Sequence, residues 1–287
     1  MDQRHRVALV TGCGKASGIG SATAIALAEQ GAAVVVSDIA ETGVANQHDH
    51  EEDPAESRDG LIALCERIRA AGGQADHVIG DVSSEDDAER MVRVASEKFG
   101  RLDILINNAA APHGLDRADI ADVPFATWQK VMAINVNGAF LMSRAAIRVM
   151  RPQRWGRIVN LSSVAVKHAL SNLTAYTASK AAVVGFSQAL AMDVARDRIT
   201  VNAVCPGIIA TSRAVSSARR VTGGDRETGL AMRAAGIPVA RMGEPGEVAA
   251  MIAFLSSDAG AYVTGQAIMV DGGGVGLPHV SRREPQG

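Results

Sequence analysis

A tyrosine and a lysine stand four residues apart in the run YTASK, as Tyr176 and Lys180. Positions i and i+4 of a helix share a face. A phenol with a pKa near ~10 exchanges protons poorly at neutral pH. An ammonium beside it favours the phenolate and makes it a usable acid/base. Ser163 lies 13 residues before Tyr176, directly after the apolar run RIVNL. A hydroxyl there can hydrogen-bond a substrate oxygen. Taken singly, the Tyr/Lys pair could be a surface pair and Ser163 a turn residue that caps a helix.

A second chemical feature is TGCGKASGIG, residues 11–20, set between the apolar run VALV and a helix-like run. Backbone N–H groups at a helix N-terminus attract phosphate, and glycines let the chain come close. Gly12, Gly18 and Gly20 suit a turn, a close approach and tight helix–strand packing. Eighteen residues after Gly20, Asp38 closes the second apolar run. Its carboxylate could accept from an adenosine ribose diol and would repel a 2′-phosphate, which favours NAD(H) over NADP(H). Alone, Asp38 could also be a helix N-cap or a solvated turn residue.

These groups need a frame. Short β-branched runs predict strands over residues 6–10, 33–37, 76–80, 103–107, 157–161, 200–204 and 267–271. Between them lie amphipathic stretches. Leu61, Leu64, Cys65 and Ile68 are spaced i, i+3, i+4, i+7, as are Ala88, Met91, Val92 and Ala95, and Val248, Met251, Ile252 and Leu255. That period marks a helix with one buried face. The alternation predicts an α/β, Rossmann-type fold: a doubly wound, parallel, seven-stranded sheet with helices on both faces. No repeat or linker divides the chain, so residues 1–287 are read as one domain with its core at about 7–274. Three segments read as irregular: 41–60, 208–236 and the tail 275–287.

Composition narrows the classes. Apolar residues make up 47% and aromatics 3%, so the core is aliphatic, as parallel strands require. A net charge of −2 gives no footprint for nucleic acid. Three cysteines without a CxxC pair point to a reduced, cytoplasmic chain. The apolar run near the N-terminus is too short for a signal peptide or membrane span. His48, Asp49, His50, Glu51, Glu52 and Asp53 could ligate a metal, but no helix or strand frames them. They are read as a solvated loop, and no metal is expected.

With these residues in view, the chain resembles the short-chain dehydrogenase/reductases, in their short single-domain branch. NNA at 107–109, Asn135 in MAINVNG, NLSS with Ser163, YTASK, PGIIAT at 206–211, Asp81 in GDVS and TGQAIMVDGG at 264–273 match family motifs in order, from about Val7 to Gly274. The resemblance implies a catalytic group of Asn135, Ser163, Tyr176 and Lys180. It implies cofactor contacts at Gly12, Lys15, Ser17, Gly18, Ile19, Gly20, Asp38, Ile39, Asp81, Val82, Asn108, Ala109, Ala110, Tyr176, Lys180, Pro206, Gly207, Ile209 and Thr211. Tyr176 would be the acid/base, Lys180 would lower its pKa and bind the nicotinamide ribose, and Ser163 would hold the substrate oxygen. Asn135 would hold a water that links Lys180 to solvent. A homotetramer is implied, with helices around 128–150 and 176–195 at interfaces.

Two departures concern the adenosine side. Five residues separate Gly12 from Gly18, two more than the family's three, which predicts an outward bulge at residues 13–16. Residues 41–60 also lengthen the connection after Asp38. Lys15 in the bulge leans toward NADP(H), since basic residues there often accompany it in the family. Asp38, followed by Ile39 and not by arginine, leans toward NAD(H), and NAD is the cofactor expected.

The substrate pocket is expected at Ser163, Val164, Val166, His168, Leu170 and Tyr176, with a lid from 208–236. The apolar members suit a secondary alcohol or ketone. Arg213, Arg219, Arg220, Arg226 and Arg233 in the lid read as a solvated helix face, with an acidic substrate or a CoA phosphate as the alternative. His113 and His168 could touch substrate, with a structural or solvent-facing place as the favoured reading. Two other functions stay open: a 3-oxoacyl-thioester reductase using NADPH, and a nucleotide-sensing module without catalysis.

Overall fold

The computed structural model describes residues 2–47, 49 and 60–275. The chain runs β1 (Val7–Thr11), α1 (Ile19–Glu29), β2 (Ala33–Asp38), α2 (Leu61–Ala70), β3 (Gln74–Ile79), α3 (Glu85–Phe99), β4 (Ile104–Asn107), α4 (Phe125–Met132), α5 (Gly138–Gln153), β5 (Gly156–Leu161), α6 (Thr174–Val194), β6 (Ile199–Pro206), α7 (Ser212–Thr222), α8 (Arg226–Ala235), α9 (Pro245–Leu255) and β7 (Ala267–Val270). All seven strands are parallel, in the order β3-β2-β1-β4-β5-β6-β7. This is the Rossmann-type sheet expected from the sequence.

Strand side chains alternate between two cores. Ala8 and Val10 of β1 point into one, with Leu27 of α1, Leu64 of α2 and Ile252 of α9. Val7 and Leu9 point into the other, with Met91 of α3, Met142 of α5 and Val194 of α6. Burial on both faces explains the near-continuous Val/Ile/Leu runs. Local signals agree. Ser84 caps α3 by accepting from the Asp87 N–H, three acids fill its first turn, and Gly100 closes it at φ 78°.

The sheet order reverses between β1 and β4. Chains leave the C-terminal ends of these neighbours toward opposite faces, which opens the crevice where doubly wound folds bind ligands.

Two expectations change. Residues 208–236 are not irregular: they carry α7 and α8. The buried face of α7 is made of Ala214, Val215, Ser216 and Ala218, too small to stand out as an apolar period. A Cβ at Gly229 would lie 2.7 Å from Ala218 O, so only glycine lets α8 cross α7 this closely. The glycine loop also does not bulge outward at Cys13. Cys13 is buried, and its N–H donates to Ser37 O of β2. The Gly14 N–H donates to Asp38 Oδ2 at 2.9 Å. Ser21 Oγ pins the loop by donating to Cys13 O and Lys15 O. The added residues thus fold inward over the end of β2.

Of the acidic run His48–Asp53, only Asp49 lies within the described residues, where it accepts from Asn46 and Lys15. The remaining tail, beyond Val275, also lies outside them. Among the described residues, no helix is long and apolar enough to cross a membrane.

Candidate active site

A cavity of about 790 Å³ opens at the C-terminal ends of β1, β4, β5 and β6, walled on one side by α7 and α8. Most residues expected to touch cofactor or substrate line it, from Gly12 and Asp38 at one end to Ser163, His168, Leu170 and Tyr176 at the other. Ser17, Gly20, Asn135 and Val166 lie outside its lining. Gly20 acts through packing instead. A Cβ there would lie 2.5 Å from Gly12 O and 2.6 Å from Asn108 Nδ2, so a side chain would push α1 off the loop. Asn108 Nδ2 in turn donates to Thr11 O and Gly12 O, and the Thr11 hydroxyl accepts from the N–H groups of Asn108 and Ala109. β1 and β4 are therefore stitched together where a dinucleotide would lie.

At the adenosine end, the Asp38 carboxylate accepts from the N–H groups of Gly14 and Ile39. Burial raises its pKa, against the pull of those two N–H groups. The Lys15 ammonium lies 3.4 Å from Asp49 Oδ2, so a charge that would meet a 2′-phosphate has a partner within the chain.

At the other end, Tyr176 and Lys180 share one face of α6. The Lys180 ammonium lies 5.9 Å from the centre of the Tyr176 ring and donates to Leu161 O at 2.7 Å. Burial first, then the Arg213 charge, brings the Lys180 pKa down to about 7. Ser163 begins a short 3-10 turn after β5, and its Oγ accepts from the Ala165 N–H. Asn135 sits in a π-helical turn, Ala133–Asn137, between α4 and α5. Such turns often mark functional positions. Its Oδ1 accepts from the Ala111 N–H, and its Nδ2 donates to Ser179 Oγ, which donates to Tyr176 O. The side chain therefore ties the loop after β4 to the tyrosine's own turn of helix.

A stability measurement follows from Lys180. Its pKa falls from the ordinary 10.5 to about 7 on folding. Between those values the unfolded chain binds more protons than the folded one, so stability rises with pH across that window. Below it both states are protonated and the folded protein carries the full cost of a buried ammonium. The melting temperature of the wild-type protein should rise relative to that of Lys180→Met as pH increases from about 7. A difference that stays flat with pH would show that Lys180 is not a suppressed base.

Arg117, which sequence reasoning missed, sits at the same tyrosine, and residues read there as solvent-facing join it. The Arg117 guanidinium stacks over the Tyr176 ring at 4.4 Å. Its Nε lies 3.0 Å from Asp116 Oδ2, close enough for an ion pair but off hydrogen-bond geometry. Arg213 is also turned inward, donating to Ala110 O and Ala111 O. Arg213, Arg220 and Arg233 all line the cavity, against the reading of a solvated face. His113, read as structural or solvent-facing, lines it too. Burial and the charges of Arg117, Arg213, Arg220 and Arg233 hold its pKa well below the usual value. Val44 and Asn46 complete the adenosine end, and Asn46 Oδ1 accepts from the His113 N–H. No periodic frame marks these positions in the sequence. Among the described residues, no cluster of side chains suits a metal ion.

Comparison with known proteins places this geometry. A family model described as enoyl-(acyl carrier protein) reductase matches residues 12–274. A 3-oxoacyl-[acyl-carrier-protein] reductase of Synechocystis sp. is 38% identical over 271 residues, covering 93% of this chain and 96% of the relative. A cis-4-hydroxycyclohexanecarboxylate dehydrogenase of Sinomonas cyclohexanicum is 37% identical over 269 residues, covering 94% and 96%. Among solved structures, a variant of actinorhodin polyketide ketoreductase with NADPH superposes with a TM-score of 0.82 at 34% identity, covering 94% of this chain and 97% of that one.

Proposed function

The chain belongs to the short-chain dehydrogenase/reductase family, and on that premise we propose that it interconverts a secondary alcohol and a ketone with NAD(H), using Ser163, Tyr176, Lys180 and Asn135. As a member, it is a nucleotide-cofactor-dependent oxidoreductase. The observation that carries the reading is the setting of Tyr176. Its ring has two basic side chains near it, Arg117 at 4.4 Å and Lys180 at 5.9 Å from its centre, in the wall that also holds Ser163.

The cavity fits a dinucleotide. The loop at Gly12 and Gly18 and the N-terminus of α1 present N–H groups for phosphate, and Asp38 lines the adenosine end. Asp81, Val82, Ala109 and Ala110 would flank it, with Pro206, Gly207, Ile209 and Thr211 toward the nicotinamide. When bound, the cofactor accepts or supplies the hydride. Tyr176 takes the proton from the alcohol oxygen during oxidation and returns it during reduction. The Arg117 and Lys180 side chains lie beside its ring, and burial lowers the pKa of both. Ser163 holds the substrate oxygen. The Asn135 side chain, with one bond at each polar end, helps to fix the turn that carries Tyr176 and keeps one N–H and one lone pair for a water.

A second reading, reduction of a 3-oxoacyl thioester with NADPH, is favoured by the names of relatives and by the NADPH in the actinorhodin ketoreductase structure. The Asp38 carboxylate and the pairing of Lys15 with Asp49 favour the first reading. A module that only binds nucleotide finds no support among relatives named as reductases and dehydrogenases.

We further place the enzyme in a homotetramer in the cytoplasm. Exposed apolar side chains on the α5 and α6 surfaces, Phe140 edge-on to the half-buried Phe186, and Met192, support the assembly, which light scattering would measure. Three buried free cysteines suit a reducing compartment.

The test is to mix the protein with NAD⁺ or NADP⁺ and a panel of secondary alcohols, and to follow reduced-cofactor absorbance. Turnover with NAD⁺ exceeding that with NADP⁺ is expected. Turnover only of 3-oxoacyl thioesters, with NADPH, would replace this reading by the second.

A further inference from the structure

The catalytic end of the cavity holds more positive charge than the reaction uses. Arg117, Arg213, Arg220 and Arg233 all act electrostatically on the buried His113. Arg213 lines the same cavity as Tyr176 and interacts with it electrostatically, and Arg220 lies near enough to Arg233 to disfavour its charge. Among the described residues, of these four only Arg117 has an ion pair, with Asp116, while Asp116, Asp49 and Asp38 act favourably on Arg213 without pairing with it. Among the described residues, Arg213, Arg220 and Arg233 form no ion pair. Arg213 is held by two carbonyls and Arg233 by one hydroxyl, Ser217 Oγ at 2.5 Å. The Arg233 Nε is buried without a hydrogen-bond partner.

Like charges packed together in a part-buried cavity are costly unless an anion joins them. Guanidinium groups are well suited to binding carboxylate in pairs. Building on the oxidoreductase reading above, we propose that the substrate carries a carboxylate on the α7–α8 side of its reacting carbon, bound by Arg213, Arg220 and Arg233. The carboxylate lies close to the reacting carbon, because Arg213, anchored on Ala110 O and Ala111 O, lines the same cavity as Tyr176, Arg220 and Arg233. The phosphates of a CoA thioester stand much further from their carbonyl, across the whole pantetheine arm. The dinucleotide phosphates have their own site at the loop after β1.

The test uses an oxocyclohexanecarboxylate and its methyl ester, with acetoacetyl-CoA as a third substrate. For each, kcat/KM is measured on the wild-type protein, on Arg220→Gln/Arg233→Gln and on Arg220→Lys. Calorimetry on the protein–dinucleotide complex gives affinity independently of turnover. The wild-type protein should prefer the acid over its ester, and the double variant should reduce that ratio about 10- to 100-fold, in line with lost charge-assisted hydrogen bonds. Arg220→Lys should retain part of the preference.

An acid and an ester used equally well would overturn the proposal and leave the redox reading intact. So would an arginine dependence seen only with acetoacetyl-CoA, or a variant that weakens dinucleotide binding and slows acid and ester alike. Arginine-dependent binding of the acid without turnover of any ketone would instead support the carboxylate site and sink the redox reading. No binding of the acid would overturn the carboxylate site.

Discussion

Tyr176→Phe is expected to lower kcat by about 10²–10⁴ while dinucleotide binding persists. The substitution removes one oxygen from a ring whose packing is set by its neighbours. Arg117 stacks on the ring face, and Ser179 and Asn135 hold the main chain of that helical turn. A phenylalanine can keep all of these contacts. What it loses is the hydroxyl proposed to give and take the proton at the substrate oxygen. Dinucleotide affinity, read by fluorescence titration, should change little, because the phosphate loop and Asp38 lie at the opposite end of the cavity. A variant that keeps more than a tenth of the wild-type rate would remove Tyr176 from its role.

Asp38→Ala should carry the other large effect, on cofactor choice. A hydrogen bond to a charged acceptor contributes about 1.5–3 kcal/mol, so losing the ribose contact should cut kcat/KM for NAD roughly 10- to 100-fold. The same change removes the charge that opposes a 2′-phosphate, so the NADP value should hold or rise. Asp38 also receives the Gly14 and Ile39 N–H groups, and the variant will loosen the loop for both cofactors. The ratio of the two kcat/KM values is therefore the quantity to read. A wild-type preference for NADP, or a ratio that does not move in the variant, would show that Lys15 and the lengthened loop outweigh the carboxylate.

Both predictions rest on residues that were visible before any coordinates. The strands were legible because buried parallel strands are written in β-branched residues. Their ends shifted where pairing decides them. β3 starts at Gln74 because Gln74 pairs with Ala33, and β6 runs to Pro206 because Pro206 pairs with Val270. The helices of the lid were illegible as helices. Their buried faces use alanine, serine and glycine, and their arginines read as solvent-facing in one dimension.

The sequence by itself determined the class of fold, and it singled out the glycine loop and Ser163, Tyr176 and Lys180, which line one cavity. Each of these depends on spacing along a single strand, turn or helix, where residue type and period carry the information. Tertiary structure alone decided what surrounds Tyr176. Arg117 comes from the loop after β4, while Arg220 and Arg233 come from α7 and α8. The fold turns these charges into one cavity, where burial makes each depend on its neighbours. It also turned Cys13 and Gly14 inward, because the end of β2 offers Ser37 O and Asp38 Oδ2 to their N–H groups. A contact between residues far apart in the chain leaves no period to read, and its energy exists only once water has been removed from around it.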